Sequence, residues 1–168
     1  MSSPFEHVIR TAELSDATSI ARIYTDAILA RDSTMILDPV GPSEMEAKLL
    51  HLTNRETVLV AVDAKNTVLG WGTVKLYSDR PGYRLTCETS IFVDLPWRGK
   101  GLGTTLQKAL LEFARRIGFH HVLVRIWAQN QSSISLHSKL GFTLVGIQKE
   151  IGHVDSKWID VAVMQCLL

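Results

Sequence analysis

Two rhythms of apolar and polar residues run along this chain, one of period two and one of period 3.6, and the switches between them mark out its elements. His7 to Thr11 reads as a short strand. Ser15 can then cap a helix whose apolar residues Ala17, Ile20, Ala21, Tyr24, Ala27 and Ile28 repeat at helical spacing. Arg31 to Pro42 has no period and carries Asp32, Ser33, Pro39, Gly41 and Pro42, so a surface loop of the kind that carries function is expected there. Ser43 and Glu46 have the spacing of a capping box for a second helix that fades near Asn54. Two strands, Thr57 to Val62 and Val68 to Leu76, flank the turn-like Asp63-Ala64-Lys65-Asn66, as in an antiparallel hairpin. Gly70 and Gly72 mark a bulge or a close approach by another segment.

Leu85 to Val93 sets Leu85, Cys87, Thr89, Ile91 and Val93 on one side and Thr86, Glu88, Ser90 and Phe92 on the other, the pattern of a central strand whose one charge is Glu88. Leu102, Leu106, Leu110, Phe113 and Ile117 define an amphipathic helix that Gly118 can end in a left-handed cap. Val122 to Trp127 is the next strand. A short helix from about Ser133 to Leu140 stops at Gly141, and strands from Thr143 to Glu150 and from Lys157 to Leu167 follow. The order β-α-α-β-β-β-α-β-α-β-β combines hairpins with strand-helix-strand crossovers. An α/β fold is therefore expected, a mixed sheet with helices on both faces. A chain of 168 residues can bury roughly 70% of its unfolded surface around one core, so residues 1–168 are expected to form one domain.

Composition narrows the function classes. Eighteen Lys and Arg nearly cancel seventeen Asp and Glu, so no bulk field draws the chain to nucleic acid or an anionic membrane. The apolar runs are far shorter than the roughly 20 residues a membrane span needs. Cys87 and Cys166 sit in apolar strands with no signal peptide ahead of them, and read as reduced core residues of a cytoplasmic protein. The histidines show no metal-ligand spacing, so no metal is expected. A G-x-S-x-G elbow is absent, and with it an obvious hydrolase nucleophile.

The sharpest local feature is Arg98-Gly99-Lys100-Gly101-Leu102-Gly103-Thr104-Thr105, between a strand and a helix. Its alternate glycines expose a row of backbone N–H groups at a helix N-terminus whose dipole favours negative charge, while Arg98 and Lys100 add local positive charge. A pyrophosphate suits that site. The spacing matches neither the Walker A loop nor the G-x-G-x-x-G dinucleotide fingerprint, because the third glycine arrives one residue early.

With Arg98, Gly101 and Gly103 at the fixed positions of [QR]-x-x-G-x-[GA], the sequence resembles the GNAT acetyltransferases. Cys87-Glu88-Thr89-Ser90-Ile91-Phe92-Val93 is similar to the A-E-S-T-V-Y-V strand of their phosphinothricin acetyltransferase branch, and Asn130, Ser133 and His137 match its N-x-x-S-x-x-x-H spacing before Leu140-Gly141-Phe142. The resemblance implies a seven-stranded mixed sheet splayed between its fourth and fifth strands, binding acetyl-CoA as co-substrate. It places the pantetheine arm along Ile91, Phe92 and Val93, with Asn130 and Ser133 lining it. The pyrophosphate would lie on the loop and helix start formed by Arg98, Gly99, Lys100, Gly101, Leu102, Gly103 and Thr104. The chain departs from the branch at Gly152-His153-Val154-Asp155-Ser156-Lys157-Trp158-Ile159-Asp160, where G-x-K-x-G-x-W-x-D is usual, and at Ile36, where the branch has an aromatic residue. Both departures fall where the family builds its acceptor pocket.

An amine attacks a thioester only when neutral, and an α-amino group of pKa about 7.7 to 8.0 is mostly protonated at pH 7. Glu88 is the candidate base, directly or through a water, as a carboxylate isolated in an apolar strand whose charged form desolvation disfavours. His137 is the candidate acid for the departing thiolate, with the oxyanion held by a backbone N–H near Phe92. Arg80 and Tyr83 match an R-x-x-Y pattern ahead of the catalytic strand, where an Arg can pair with an acceptor carboxylate and Arg84 is a rival. With Ile36 they form the expected acceptor site. The resemblance implies a homodimeric transferase moving acetyl to the primary amine of a small molecule, an amino acid or an analogue such as phosphinothricin or methionine sulfoximine. A CoA-binding regulatory module without turnover and a protein or peptide N-acetyltransferase remain alternatives.

Overall fold

The structure is a computed structural model that describes residues 6–168; the first five positions of the expected 1–168 domain lie outside the described residues. Strand β1 covers Val8–Thr11, helix α1 Ala17–Ala30, helix α2 Pro42–Leu50, and the hairpin strands β2 and β3 Thr57–Val62 and Val68–Leu76. Strand β4 covers Thr86–Val93, helix α3 Leu102–Ile117, strand β5 His121–Trp127, helix α4 Gln131–Lys139, and strands β6 and β7 Thr143–Val154 and Lys157–Leu167. Element type and order follow the hydrophobic rhythm throughout. The caps differ from expectation. Glu13 and Asp16, not Ser15, make the reciprocal cap ahead of α1, because Asp16 is also held there by the two terminal guanidinium nitrogens of Arg10 at 2.7 and 2.9 Å. Helix α2 starts one residue before Ser43, at Pro42 in the first turn, so Gly41 takes the capping position and no Ser43–Glu46 box forms. Strand β6 runs on past Glu150 to Val154 through an irregularity between Gln148 and Gly152.

The seven strands lie in the order β1-β2-β3-β4-β5-β7-β6, antiparallel except where β4 meets β5. Helices α1 and α2 cover one face, with Ile20, Ile23 and Met45 packed on Val58, Val60 and Trp71. Helix α3 covers the other, with Leu110, Leu111 and Ala114 on Val74, Cys87, Val122 and Val124. Gly72 is the close approach expected from its sequence: a Cβ there would come within 2.8 Å of Leu110 Cδ1 and 3.0 Å of Ser90 O, so a side chain would force Leu110 of α3 to shift. Cys87 is buried in that layer and desolvation pushes its thiol up to about 12, which leaves it unreactive.

One break in the sheet positions everything that follows. Strand β4 pairs with β5 only at Thr86–His121, Cys87–Val122 and Glu88–Leu123, although both strands continue, β4 to Val93 and β5 to Trp127. Beyond Glu88 the two part, which is the expected splay between fourth and fifth strands. On its other side β4 stays in unbroken register with β3 from Leu76–Cys87 to Gly70–Val93.

Candidate active site

The regular β3–β4 ladder dictates which backbone groups face the split. Asp94 N–H donates to Leu69 O at 2.9 Å and Tyr77 N–H to Thr86 O at 3.3 Å, with no register shift between. Even-numbered residues of β4 therefore turn their N–H and C=O groups to β3, and Thr89, Ile91 and Val93 turn theirs toward the missing strand. Phe92 N–H is committed to β3, and its neighbours Ile91 and Val93 present theirs to the gap. Arg98 Nε already donates to Val93 O at 3.0 Å, which folds the loop after β4 back over the end of the split.

Helix α3 begins where that loop ends. Gly99 and Gly101 have φ of 73° and 85°, left-handed values that an L side chain rarely adopts, and nothing within 4 Å would meet a Cβ at either. Backbone shape, not crowding, demands glycine there, and the space above is open. Thr105 N–H donates to Gly101 O at 3.1 Å, so the helical ladder starts at Thr105 and the amides of Leu102, Gly103 and Thr104 have no acceptor one turn back. These donors and the helix dipole open onto a cleft of about 730 Å³. All the expected cofactor residues line it except Lys100, whose amine lies over the Trp97 ring at 4.9 Å, and Leu102, which is buried in the core. The opposite wall comes from Trp127, Gln129, Ser132 and Leu136, with Arg31, Asp32 and Ser33 from the loop after α1.

Asn130 caps α4 by accepting from Ser133 N–H at 3.1 Å, and this fixes the end of the short helix that carries His137. The His137 ring is buried, edge-on to Phe142, with Nδ1 2.8 Å from Ser133 O. A carbonyl only accepts, so Nδ1 carries the proton and Nε2 a lone pair. Burial pushes the imidazole below its ordinary 6.5, only partly opposed by that hydrogen bond. The ring is therefore neutral at pH 7, with its one N–H committed to the backbone.

Glu88 sits at the crotch of the split, 8% exposed, on the sheet face that α1 and α2 partly cover. The sequence led us to expect an isolated carboxylate. In the fold it is paired: Oε2 accepts from Arg125 Nη1, and Lys75 Nζ is 3.6 Å from Oε1. Lys75 stands directly opposite Glu88 in the β3–β4 register, and Arg125 is the first β5 side chain on that face past the last β4–β5 pair. The Arg125 guanidinium also lies 5.8 Å from the Tyr77 ring, which in turn meets Tyr83 edge-on at 5.2 Å. Tyr83 thus approaches the site indirectly, whereas Arg80 and Arg84 are exposed around a one-turn 3-10 helix, and Arg84 O accepts from Arg55. Ile36 is exposed and lines no part of the cleft; Asp32 and Ser33 reach it from the same loop.

A second cavity of about 80 Å³ occupies the split, bounded by Ser90, Phe92, Arg125, Trp127, Ser133 and His137 among others, and shares walls with the large cleft. Trp127 Nε1, buried there, has no hydrogen-bond partner among the described residues. An unmade buried hydrogen bond costs about 1 to 3 kcal/mol, so this donor fits a site completed by a ligand acceptor. Sequence reasoning missed Arg125 and Trp127; the clue was Leu123, Arg125 and Trp127 alternating on one side of β5, a charge within an otherwise apolar strand. Among the described residues no cluster of His, Cys, Asp and Glu could hold a metal ion, and no helix is long and apolar enough to cross a membrane.

Comparison with known proteins agrees with this geometry. The family model of the acetyltransferase (GNAT) domain matches residues 9–163. An L-methionine sulfoximine/L-methionine sulfone acetyltransferase of Pseudomonas aeruginosa is 35% identical over 158 residues, covering 94% of this chain and 92% of its own. An L-amino acid N-acyltransferase of Escherichia coli is 30% identical over 160 residues, covering 95% and 93%. The crystal structure of a GNAT superfamily phosphinothricin acetyltransferase from Sinorhizobium meliloti in complex with acetyl-CoA superposes with a TM-score of 0.91 at 32% identity, over 96% of this chain and 88% of that one. A sheet split after Glu88, a glycine-shaped helix start beside the split and a family match over nearly the whole chain converge: this protein belongs to the GNAT acetyltransferases.

Proposed function

We propose that the chain transfers acetyl from acetyl-CoA to the primary amine of an amino acid or a close analogue such as L-methionine sulfone, L-methionine sulfoximine or phosphinothricin. The observation that carries this reading is the adjacency of the two cavities. The large cleft opens on the amide row at the start of α3 and the gap-facing edge of β4, and the small one, which shares Ile91, Phe92, Asn130 and Ser133 with it, reaches Arg125, the partner of Glu88. Acetyl-CoA would supply the activated acetyl group, its diphosphate on Gly99 to Thr104 and its arm along Ile91 to Val93, beside Asn130 and Ser133. Conformation at Gly101 and the unpaired first-turn amides suit that anion, and the amide edge of β4 suits an arm carrying peptide-like groups.

Within this reading Glu88 takes the proton of the acceptor's ammonium, and Ile91 and Val93 supply the N–H groups for the carbonyl oxygen. His137, neutral and tied to Ser133 O, holds α4 against Phe142 and lines the split; a thiol of pKa about 8.5 departs without a dedicated acid. Arg80, Tyr83 and the loop bearing Ile36 border the acceptor side. A cytoplasmic enzyme is in keeping with two free buried cysteines. We also propose a homodimer, supported by β6: this edge strand exposes Leu144, Val145, Ile147 and Ile151, and an uncovered apolar edge is a template for a second copy.

Release of CoA thiol, measured against a panel of amino acids, polyamines and peptides, should be fastest with the amino acids. Glu88→Gln should cut kcat/KM about 100-fold or more while acetyl-CoA still raises the melting temperature. Acetyl-CoA binding without turnover on any acceptor would instead make the chain a regulatory module, and a preference for peptides would make it a protein N-acetyltransferase. Sedimentation velocity should give a dimer that Ile147→Glu converts to monomer, whereas a monomeric wild type would remove the dimer proposal.

The His137 direction carries its own outcome. Because the folded ring resists protonation and the unfolded ring takes a proton below about 6.5, the unfolded state binds more protons there, and stability falls as pH drops below that value. Melting temperatures of wild type and His137→Gln compared at pH 7.5 and 5 should show the smaller acid loss in the variant. Equal losses would mean that His137 titrates normally in the fold.

A further inference from the structure

Glu88 is the intended base of the proposed reaction, yet among the described residues it lines neither cavity. Arg125 does, and Arg125 is the residue that holds Glu88 Oε2. The guanidinium thus stands between the carboxylate and the space where an acceptor must enter. It is 44% exposed while the Glu88 side chain is 10% exposed, so a ligand reaches the cation first. Charge points the same way. Lys75 and Arg125 put two positive charges around one negative charge at the end of the split, a local excess of +1 next to the cavity of about 80 Å³. The remaining walls of that cavity add no carboxylate, only Ser33, Thr89, Ser90, Asn130, Ser133, neutral His137 and apolar side chains, with the unpartnered Trp127 N–H two residues along the same face of β5.

From this arrangement we propose that Arg125 recognises the carboxylate of an amino-acid acceptor and that this exchange unmasks the base. The proposal rests on the amino-acid reading above and deepens it by naming the group that is read. In the fold Glu88 neutralises Arg125. The entering carboxylate, a chemically equivalent partner, takes the guanidinium fork and Glu88 is released to Lys75 alone. Freed from Arg125, Glu88 accepts one proton from the acceptor's ammonium, giving a neutral amine and a carboxylic acid. An amine without a carboxylate leaves Arg125 on Glu88 and the base occupied. Selectivity for amino acids over simple amines then follows from the same contact that switches the base on. Tyr77, under the guanidinium, and Lys75, opposite Glu88, hold the two partners in place through the exchange.

The test pairs the best amino acid of the panel with its own carboxamide, which keeps the side chain and removes the charge; because its amine is also the weaker base and more of it is neutral, a loss of rate on the carboxamide is a loss of recognition. The wild type should lose roughly 30-fold or more in kcat/KM on the carboxamide, the scale of one charge-assisted hydrogen-bonded pair. Arg125→Met should lose a similar factor on the amino acid, mainly through KM, and should no longer distinguish the two acceptors, while acetyl-CoA raises its melting temperature as in wild type. Should the Met variant lack that melting shift and so be misfolded, Arg125→Lys carries the test, because it keeps the charge, loses the fork and should discriminate less. Equal use of acid and carboxamide by the wild type, or undiminished discrimination in a folded Arg125 variant, overturns the proposal and leaves the acetyltransferase reading standing. No thiol release with any acceptor overturns both.

Discussion

Three residue pairs hold β4 to β5, and the parting of the two strands after Glu88 is the constraint on which the rest of the molecule depends. A sheet interior normally leaves no backbone group unpaired, since each buried N–H or C=O without a partner costs about 1 to 3 kcal/mol. Here the odd-numbered residues from Thr89 to Val93 face a gap, and the chain tolerates this because the gap is a cleft that water or a ligand can fill. The rest of the design keeps the opening in place. Arg22 on α1 holds Asp94 at the end of β4 through both carboxylate oxygens, at 2.7 and 3.2 Å, and that hydrogen-bonded pair keeps the Asp94 carboxyl below its ordinary range. Arg98 closes on Val93 O, and Gly72 lets α3 lie flat behind β3 and β4.

Two kinds of charge meet at this opening, and neither is visible in the net charge of +1. At one end the positive potential is made of backbone, the unpaired amides at the start of α3, which suits a bulky anion of any detailed shape. At the other end it is made of side chains, Lys75 and Arg125 around Glu88, with a guanidinium whose fork geometry matches a planar carboxylate. A cofactor common to a superfamily calls for the first kind and a particular acceptor for the second.

Legibility followed the same division. Periodicity located the strands and the α-helices, even the edge strand β6 whose Leu144, Val145, Ile147 and Ile151 stay exposed, while the one-turn 3-10 helix at Pro81–Tyr83 has no period to show, and the R-G-K-G-L-G run disclosed the shape of the loop before α3, since positive φ at Gly99 and Gly101 leaves few other residues possible. Caps were misplaced by a residue or two: a Ser at the right spacing competes with neighbours such as Asp16, which Arg10 recruits from a strand six residues earlier. The surroundings of Glu88 were not legible at all. Lys75 and Arg125 come from 13 residues before and 37 after it in sequence, and only the β3–β4 register and the point where β5 departs bring them together. His137 was legible in position and not in protonation, which is decided by burial and by a carbonyl one turn back on its own helix.

The central claim is that the backbone edge opened by the split, with the amide row of α3, is where the thioester co-substrate is gripped. Amide hydrogen exchange, followed residue by residue with and without CoA at a hundredfold excess over its dissociation constant, addresses it directly. Exchange at Ile91, Val93, Leu102, Gly103 and Thr104 should slow by up to about 100-fold, ahead of the other amides of their own strand and helix. Unchanged exchange at these five amides in the presence of bound CoA would contradict the account.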